Sequence, residues 1–272
     1  MVKKPITVDL ETAIQVLDQK ADTGSSLLEE NHPMVAAIDK DDAKTIQRWL
    51  AIGYSPSARI DNQIKESLLE RAAVRGSEKV FDAFVSELEL STEENPKVWR
   101  DSRGTPILIV MAALATPEKK SSLKYERMIE RLLVDHSDHI NDRDRAYIGD
   151  GRTALHQAAA TGNARLIDIL ISHGAQVDSE NSTGETPLHF AARFGKLSSL
   201  KLLIGFGAKI DPKSKHTRST PLLIASESGH ESIIRELLDS GAKKSEKDIF
   251  GKTAPQRYKE YVKSYSHKKT SN

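Results

Sequence analysis

From residue 150 onward, apolar and polar positions alternate in two recurring blocks. The longer block places apolar side chains at i, i+1, i+4 and i+5: Leu166, Ile167, Leu170 and Ile171, and then Ile233, Ile234, Leu237 and Leu238. Leu200, Leu202 and Leu203 hold the same place between them. That spacing is one stripe of a short amphipathic helix. The shorter block precedes it and carries Thr, then Ala or Pro, then Leu, with small residues following. Thr153, Thr186 and Thr220 suit the N-cap of a helix, where a hydroxyl satisfies an orphan backbone N–H. Pro187 and Pro221 suit the first helical position, where no N–H is needed. The Ala pairs 158/159 and 191/192 are small enough for helices to approach closely. Gly162, Gly195 and Gly229 stop the first helix, and Gly174, Gly207 and Gly241 stop the second. The chain is expected to be a series of helix pairs.

The blocks are periodic. The motif threonines are Thr153, Thr186, Thr220 and Thr253, in steps of 33, 34 and 33 residues. A fixed period of this size identifies a stacked repeat, in which each unit buries its apolar face only against its neighbours. Upstream the frame persists in degenerate form. Ser67 to Gly76 aligns without gaps to Thr153 to Gly162, and Val80, Phe81, Phe84, Val85 and Leu88 follow it. Met34 to Ile38 and Ala43 to Gly53 form an earlier pair. Gly104 and Thr105 open another copy, but its Leu132–Leu133 pair arrives 27 residues after Thr105, against 17 after Thr220. The extra residues fall near Thr116 to Tyr125 and are expected to lengthen the connection between two helices. His139 to Asn141 is expected to form a hairpin.

Three copies in register, with Thr-Pro-Leu-His, the Ala pair, the Leu pair and then Gly-Ala followed by Val/Ile-Asp, resemble the ankyrin repeat. The resemblance implies an all-α ankyrin-repeat solenoid of helix-turn-helix units with short β-hairpin tips. On that frame residues 1–31 are an N-terminal capping segment, with a helix over 7–20. Residues 32–250 are six repeats: 32–66, 67–104 and 105–152 divergent, and 153–185, 186–219 and 220–250 clear. Residues 251–272 are a C-terminal capping half-repeat (251–263) and a polar tail, expected to be disordered from His267. The resemblance also implies that first helices line a concave groove with hairpin tips beside it, and that a protein partner binds there. The positions in question are Arg75, Arg152, Thr161, Glu185, Phe190, Arg193, Phe194 and Glu227, with Lys215 and Arg218 on a basic tip. Arg193 and Phe194 form the sharpest pair, because Arg and aromatic residues most often anchor interfaces. The family uses His156 and His189 structurally, each bonding to its Thr and tying repeats together. Asn141 stands where some family members are hydroxylated.

Composition narrows the function. Lys+Arg is 40 and Asp+Glu is 39, which argues against a dedicated nucleic-acid or anionic-membrane binder. There is no Cys, so disulfides and thiolate metal sites are excluded. No run approaches the ~18 apolar residues of a membrane span. Lys3 and Lys4 are not followed by an apolar stretch, so no secretory signal is expected. The expected setting is a cytoplasmic monomer without cofactor or metal. Asp135, His136, Asp138, His139 and Asp142 have metal-friendly side chains but no fixed ligand spacing. There is no Gly-rich phosphate loop and no nucleophile elbow. The expected function is a non-enzymatic adaptor, scaffold or inhibitor. The divergent early repeats and the Lys/Ser/Thr tail also resemble ankyrin-repeat effectors that intracellular bacteria deliver into the host cytoplasm. The competing readings are an enzyme with its site in residues 87–150 and a nucleic-acid binder acting through the basic tip.

Overall fold

The computed structural model describes residues 27–29, 32–51, 54–56, 58–61, 66–90, 100–101, 105–144 and 150–270. The expected helix over 7–20, Gly53 and Gly104 lie outside them. The described residues form helix pairs throughout: α1 Pro33–Asp39 with α2 Ala43–Ala51, α3 Leu68–Arg75 with α4 Glu78–Leu90, and α5 Ile107–Leu114 with α6 Ser122–Asp135. They continue as α7 Ala154–Thr161 with α8 Ala164–Ser172, α9 Pro187–Arg193 with α10 Leu197–Gly205, and α11 Pro221–Ser228 with α12 Glu231–Asp239. A single long helix, α13 Ala254–Thr270, closes the series. The first helices pack in one unbroken row from α1 through α3, α5, α7, α9 and α11 to α13. The second helices pack as α2 on α4 on α6, and as α8 on α10 on α12.

Local chemistry explains the boundaries. Ser67 caps α3 with a reciprocal pair: its Oγ accepts from Glu70 N at 3.0 Å, and Glu70 Oε2 accepts from Ser67 N at 3.3 Å. In the later repeats a histidine takes the place of that glutamate. His156 Nδ1 accepts from Thr153 N at 3.1 Å, and His189 Nδ1 accepts from Thr186 N at 3.0 Å. The Ala pairs are fully buried between neighbouring first helices, where a larger side chain would force them apart. The core is continuous and mostly Leu, Ile and Ala, with Phe81 and Phe84 filling the early half.

Several features depart from expectation. The tips are turns rather than β-hairpins: antiparallel pairing at them is reduced to isolated bridges, such as Lys247 with Thr253. Each tip is held instead by a side-chain cap and by its neighbour. Asn181 Oδ1 accepts from Thr183 N and Glu185 N, at 3.0 and 2.8 Å. Ser182 N donates to Asp150 O, Lys215 N to Thr183 O and Ile249 N to Thr217 O, so one hydrogen bond links each tip to the next. The described strands, β1 Leu27–Glu29 and β2 Arg59–Asp61, pair in parallel near the start of the stack. His139 to Asn141 belongs to a 3-10 turn, Ser137–Asn141, and is not a hairpin.

The insertion near Thr116 is shared between two places. The connection between α5 and α6 lengthens to residues 115–121, and α6 itself has 14 residues against 9 in α8. The copy also opens one residue later than Thr105. Pro106 stands at the N-cap and makes the isolated bridge to Arg100, as Thr253 does to Lys247. Finally, α13 runs to Thr270, beyond the expected cap and into the tail. After Pro255 that segment contains no Gly or Pro to stop it.

Candidate functional site

The face of the first helices is built from two positions per unit, four and seven residues after the capping residue. In α7 these are Gln157 and Ala160, in α9 Phe190 and Arg193, in α11 Ile224 and Glu227, and in α13 Arg257 and Glu260. The guanidinium groups on this face are fixed by carboxylates. Arg152 donates to both oxygens of Asp150 at 2.7 and 2.9 Å and to Gln157 Oε1 at 3.2 Å. Arg193 donates to both oxygens of Glu185 at 2.8 and 2.5 Å. Arg257 Nε donates to Asp248 Oδ2 at 2.7 Å, and its Nη1 lies 4.0 Å from Glu227 Oε1. The hydrogen bonds that Arg193 donates to Glu185 raise its pKa, and those that Arg152 donates to Asp150 raise its own. Arg152 and Arg193 are paired bidentately and held in place, so any partner would meet them with little side-chain entropy left to lose.

The expected contact residues separate into groups. Phe194 is 50% exposed, and Arg193 beside it is half-buried. Phe190 and Glu185 are corrections: they are only 3% and 8% exposed. The Phe190 ring lies beneath Arg152 and Arg193, whose Cζ atoms sit 5.5 and 5.8 Å from its centroid, and it meets His156 edge-on at 5.1 Å. It belongs to the core and supports the two guanidiniums from below. Glu185 is covered by its ion pair with Arg193. Thr161 is half-buried and its hydroxyl donates to Ala158 O within its own helix. Arg75 is exposed and reaches Asp39 at 3.4 Å. Glu227 is exposed between Arg193 and Arg257. On the basic tip, Lys215 pairs with Glu180 at 3.0 Å, Lys213 pairs with Glu246 at 2.6 Å, and Arg218 is exposed.

One exposed pair lies outside the expected contact positions. Ile249 and Phe250 are 51% and 69% exposed at the last tip. The Arg257 guanidinium lies 5.4 Å from the Phe250 ring centroid, and Asp248 fixes both the tip backbone and that guanidinium. The signal was present: Phe250 stands in the frame position of Thr183, one residue before the tip glycine.

The two buried histidines tie units together. His156 Nε2 donates to Glu185 O at 2.9 Å and His189 Nε2 donates to Ser219 O at 3.0 Å, each reaching the opening of the next unit. Burial lowers the pKa of His156 to about 4 and lowers that of His189, so both imidazoles are neutral near pH 7. Asn141, Asp178 and Asp211 make a second set of links. Their side-chain oxygens accept from Gln176 N, Lys209 N and Lys243 N of the following unit. Around the 3-10 turn, His139 Nδ1 lies 3.3 Å from Asp142 Oδ2, and Arg100 reaches the same oxygen at 3.4 Å. Among the described residues, no three His, Cys, Asp or Glu side chains converge as a metal site.

The sequence that repeats these openings matches a known family. A family model described as ankyrin repeats (3 copies) matches residues 120–216, and one described as ankyrin repeat matches residues 217–249. This is an ankyrin-repeat protein. Among curated proteins it is similar to BCL-6 corepressor-like protein 1 of Mus musculus, 34% identical over 67 residues, which is 25% of this chain and 4% of that protein. The chain therefore spans a small fraction of that relative's length. Ankyrin repeats indicate a protein–protein interaction module, and ankyrin-repeat proteins are typically non-enzymatic. No helix among the described residues is long and apolar enough to cross a membrane.

Proposed function

We propose that this ankyrin-repeat protein is an adaptor or inhibitor that holds a partner protein across its first-helix face and C-terminal tips. Phe194 and Phe250 act as the apolar anchors, and Arg152, Arg193, Glu227 and Arg257 form the charged frame around them. The single observation that carries this reading is Phe194, half-exposed beside an arginine that Glu185 holds in place. An exposed aromatic ring beside a fixed arginine combines the two residue types that most often anchor interfaces, which supports a partner's pocket at that position. On the same reading residues 32–250 are six stacked repeats capped by residues 251–272. Glu180 and Glu246 balance the basic tip, which favours a protein surface over a nucleic-acid surface.

The test is site-specific photo-crosslinking. A photoreactive phenylalanine at position 194 is expected to capture the partner in a lysate, and the same group at Ser172 on a second helix is not. Equal crosslinking from both positions, or none from 194, contradicts the proposal.

A further inference from the structure

Among the described residues, no second helix follows α12 in its row. α10 packs on α8 and α12 packs on α10, but α13 lies in the first-helix row against α11. A cleft of about 430 Å3 opens where another second helix would follow, between α12, α13 and the base of α11. Leu222, Ile234, Leu238, Ala254, Pro255 and Tyr258 line it. Glu231 at its edge is engaged by the Tyr258 hydroxyl at 2.5 Å. Arg235 and Lys244 also border it, and no ion pair of either is seen among the described residues.

We infer that this cleft binds an amphipathic helix of a partner protein, in the place the next second helix of the row would take, with a carboxylate directed at Arg235. Continuity with the stack defines the apolar face. The second helices α8 and α12 carry apolar residues four, five and eight positions after the glycine that stops the first helix. In α8 these are Leu166, Ile167 and Leu170, and in α12 Ile233 and Leu237 are fully buried while Ile234 faces the cleft. A helix docking in register therefore presents an apolar pair and a third apolar residue one turn later.

The stack also defines the charge. Lys201, six residues after Gly195, reaches Glu236 of the following second helix at 3.2 Å. Arg235 stands six residues after Gly229, the equivalent place on the last second helix. The carboxylate it lacks is the counterpart of Glu236. Phe194 and Phe250 are not among the residues that line the cleft.

The probe is a fluorescent, lactam-stapled peptide with the sequence of residues 229–241, which contains the required Ile-Ile-Arg-Glu-Leu run, added to the full chain. Saturable binding by anisotropy is expected. Arg235→Glu is expected to weaken it by about fivefold, the upper range for one exposed ion pair. A peptide with its glutamate at 236 replaced by lysine is expected to bind the native chain weakly and the Arg235→Glu chain more tightly. Leu238→Asp, checked for an unchanged circular-dichroism spectrum, is expected to abolish binding, whereas Phe194→Ala leaves it unchanged. Absence of saturable binding up to about 1 mM overturns the inference, because that corresponds to only about 4 kcal/mol of association. Loss of the charge-swap rescue overturns it equally, as does full binding to a folded Leu238→Asp chain.

Discussion

Arg218 occupies a backbone position that its counterparts fill with glycine. Gly151, Gly184 and Gly251 each stand two residues before the capping threonine with φ between +73° and +75°, and Arg218 takes φ +54° there. An L-residue in the left-handed region costs about 1–2 kcal/mol. Arg218→Gly is therefore expected to stabilise the chain by about 1 kcal/mol, seen as a higher urea midpoint with an unchanged m-value; a lower midpoint contradicts this. The same tip explains the one irregular step in the period. The 34-residue interval between Thr186 and Thr220 places an extra residue in the tip turn: Ser214 N bonds to Ser219 O, whereas Asn181 N bonds to Glu185 O. Capping threonines, helix-stopping glycines and small alanines were legible at this scale because each is a local demand of the backbone. Phe190 and Phe194 were not separable. Phe190 lies within α9 and Phe194 one turn later at its C-cap, and the guanidiniums of Arg152 and Arg193, with the His156 ring, pack on the first of them.

Between elements, the histidine links make stability depend on pH. His156 has a pKa of about 4 in the folded chain and about 6.5 when unfolded. The unfolded state therefore binds the proton first as pH falls. The contribution is complete above about pH 6.5 and is lost progressively down to about pH 4. For His156 alone the loss at pH 5 is about 2 kcal/mol, and His189 acts in the same direction. Urea midpoints at pH 7 and pH 5 are expected to fall accordingly, and a flat profile contradicts the buried neutral assignment.

The join between α6 and α8 is polar. Asn163 Nδ2 donates to Ala115 O at 2.7 Å and to Glu126 Oε1 at 2.8 Å, Asn163 Oδ1 caps α8 at Leu166 N, and Arg165 reaches Glu126 at 3.1 Å. Asn163→Ala is expected to cost about 2–3 kcal/mol, from the lost cap and from buried acceptors left unpaired, and a cost below about 1 kcal/mol would show the cluster to be dispensable. The insertion that creates this join was visible in the spacing of Leu132–Leu133. Its division between connection and helix depends on packing and was not visible.

Across the whole molecule, the period revealed the solenoid because each unit solves the same burial problem against its neighbours. The proposed partner surface was legible only as a set of positions. Of these, Phe190 and Glu185 are buried and Phe194 and Glu227 are exposed, while Phe250 is exposed outside the set. Arg193 is unsuited to mutation as a binding control, because its loss strands the covered Glu185 carboxylate. The most direct measurement is quantitative affinity capture from lysate with the native chain and a Phe194→Ala/Phe250→Ala chain, after matched thermal unfolding curves show both folded. The account predicts a protein retained by the native chain and depleted at least about tenfold by the double substitution, the effect of removing about 1.4 kcal/mol of anchoring. Equal recovery of the same proteins by both chains would contradict it.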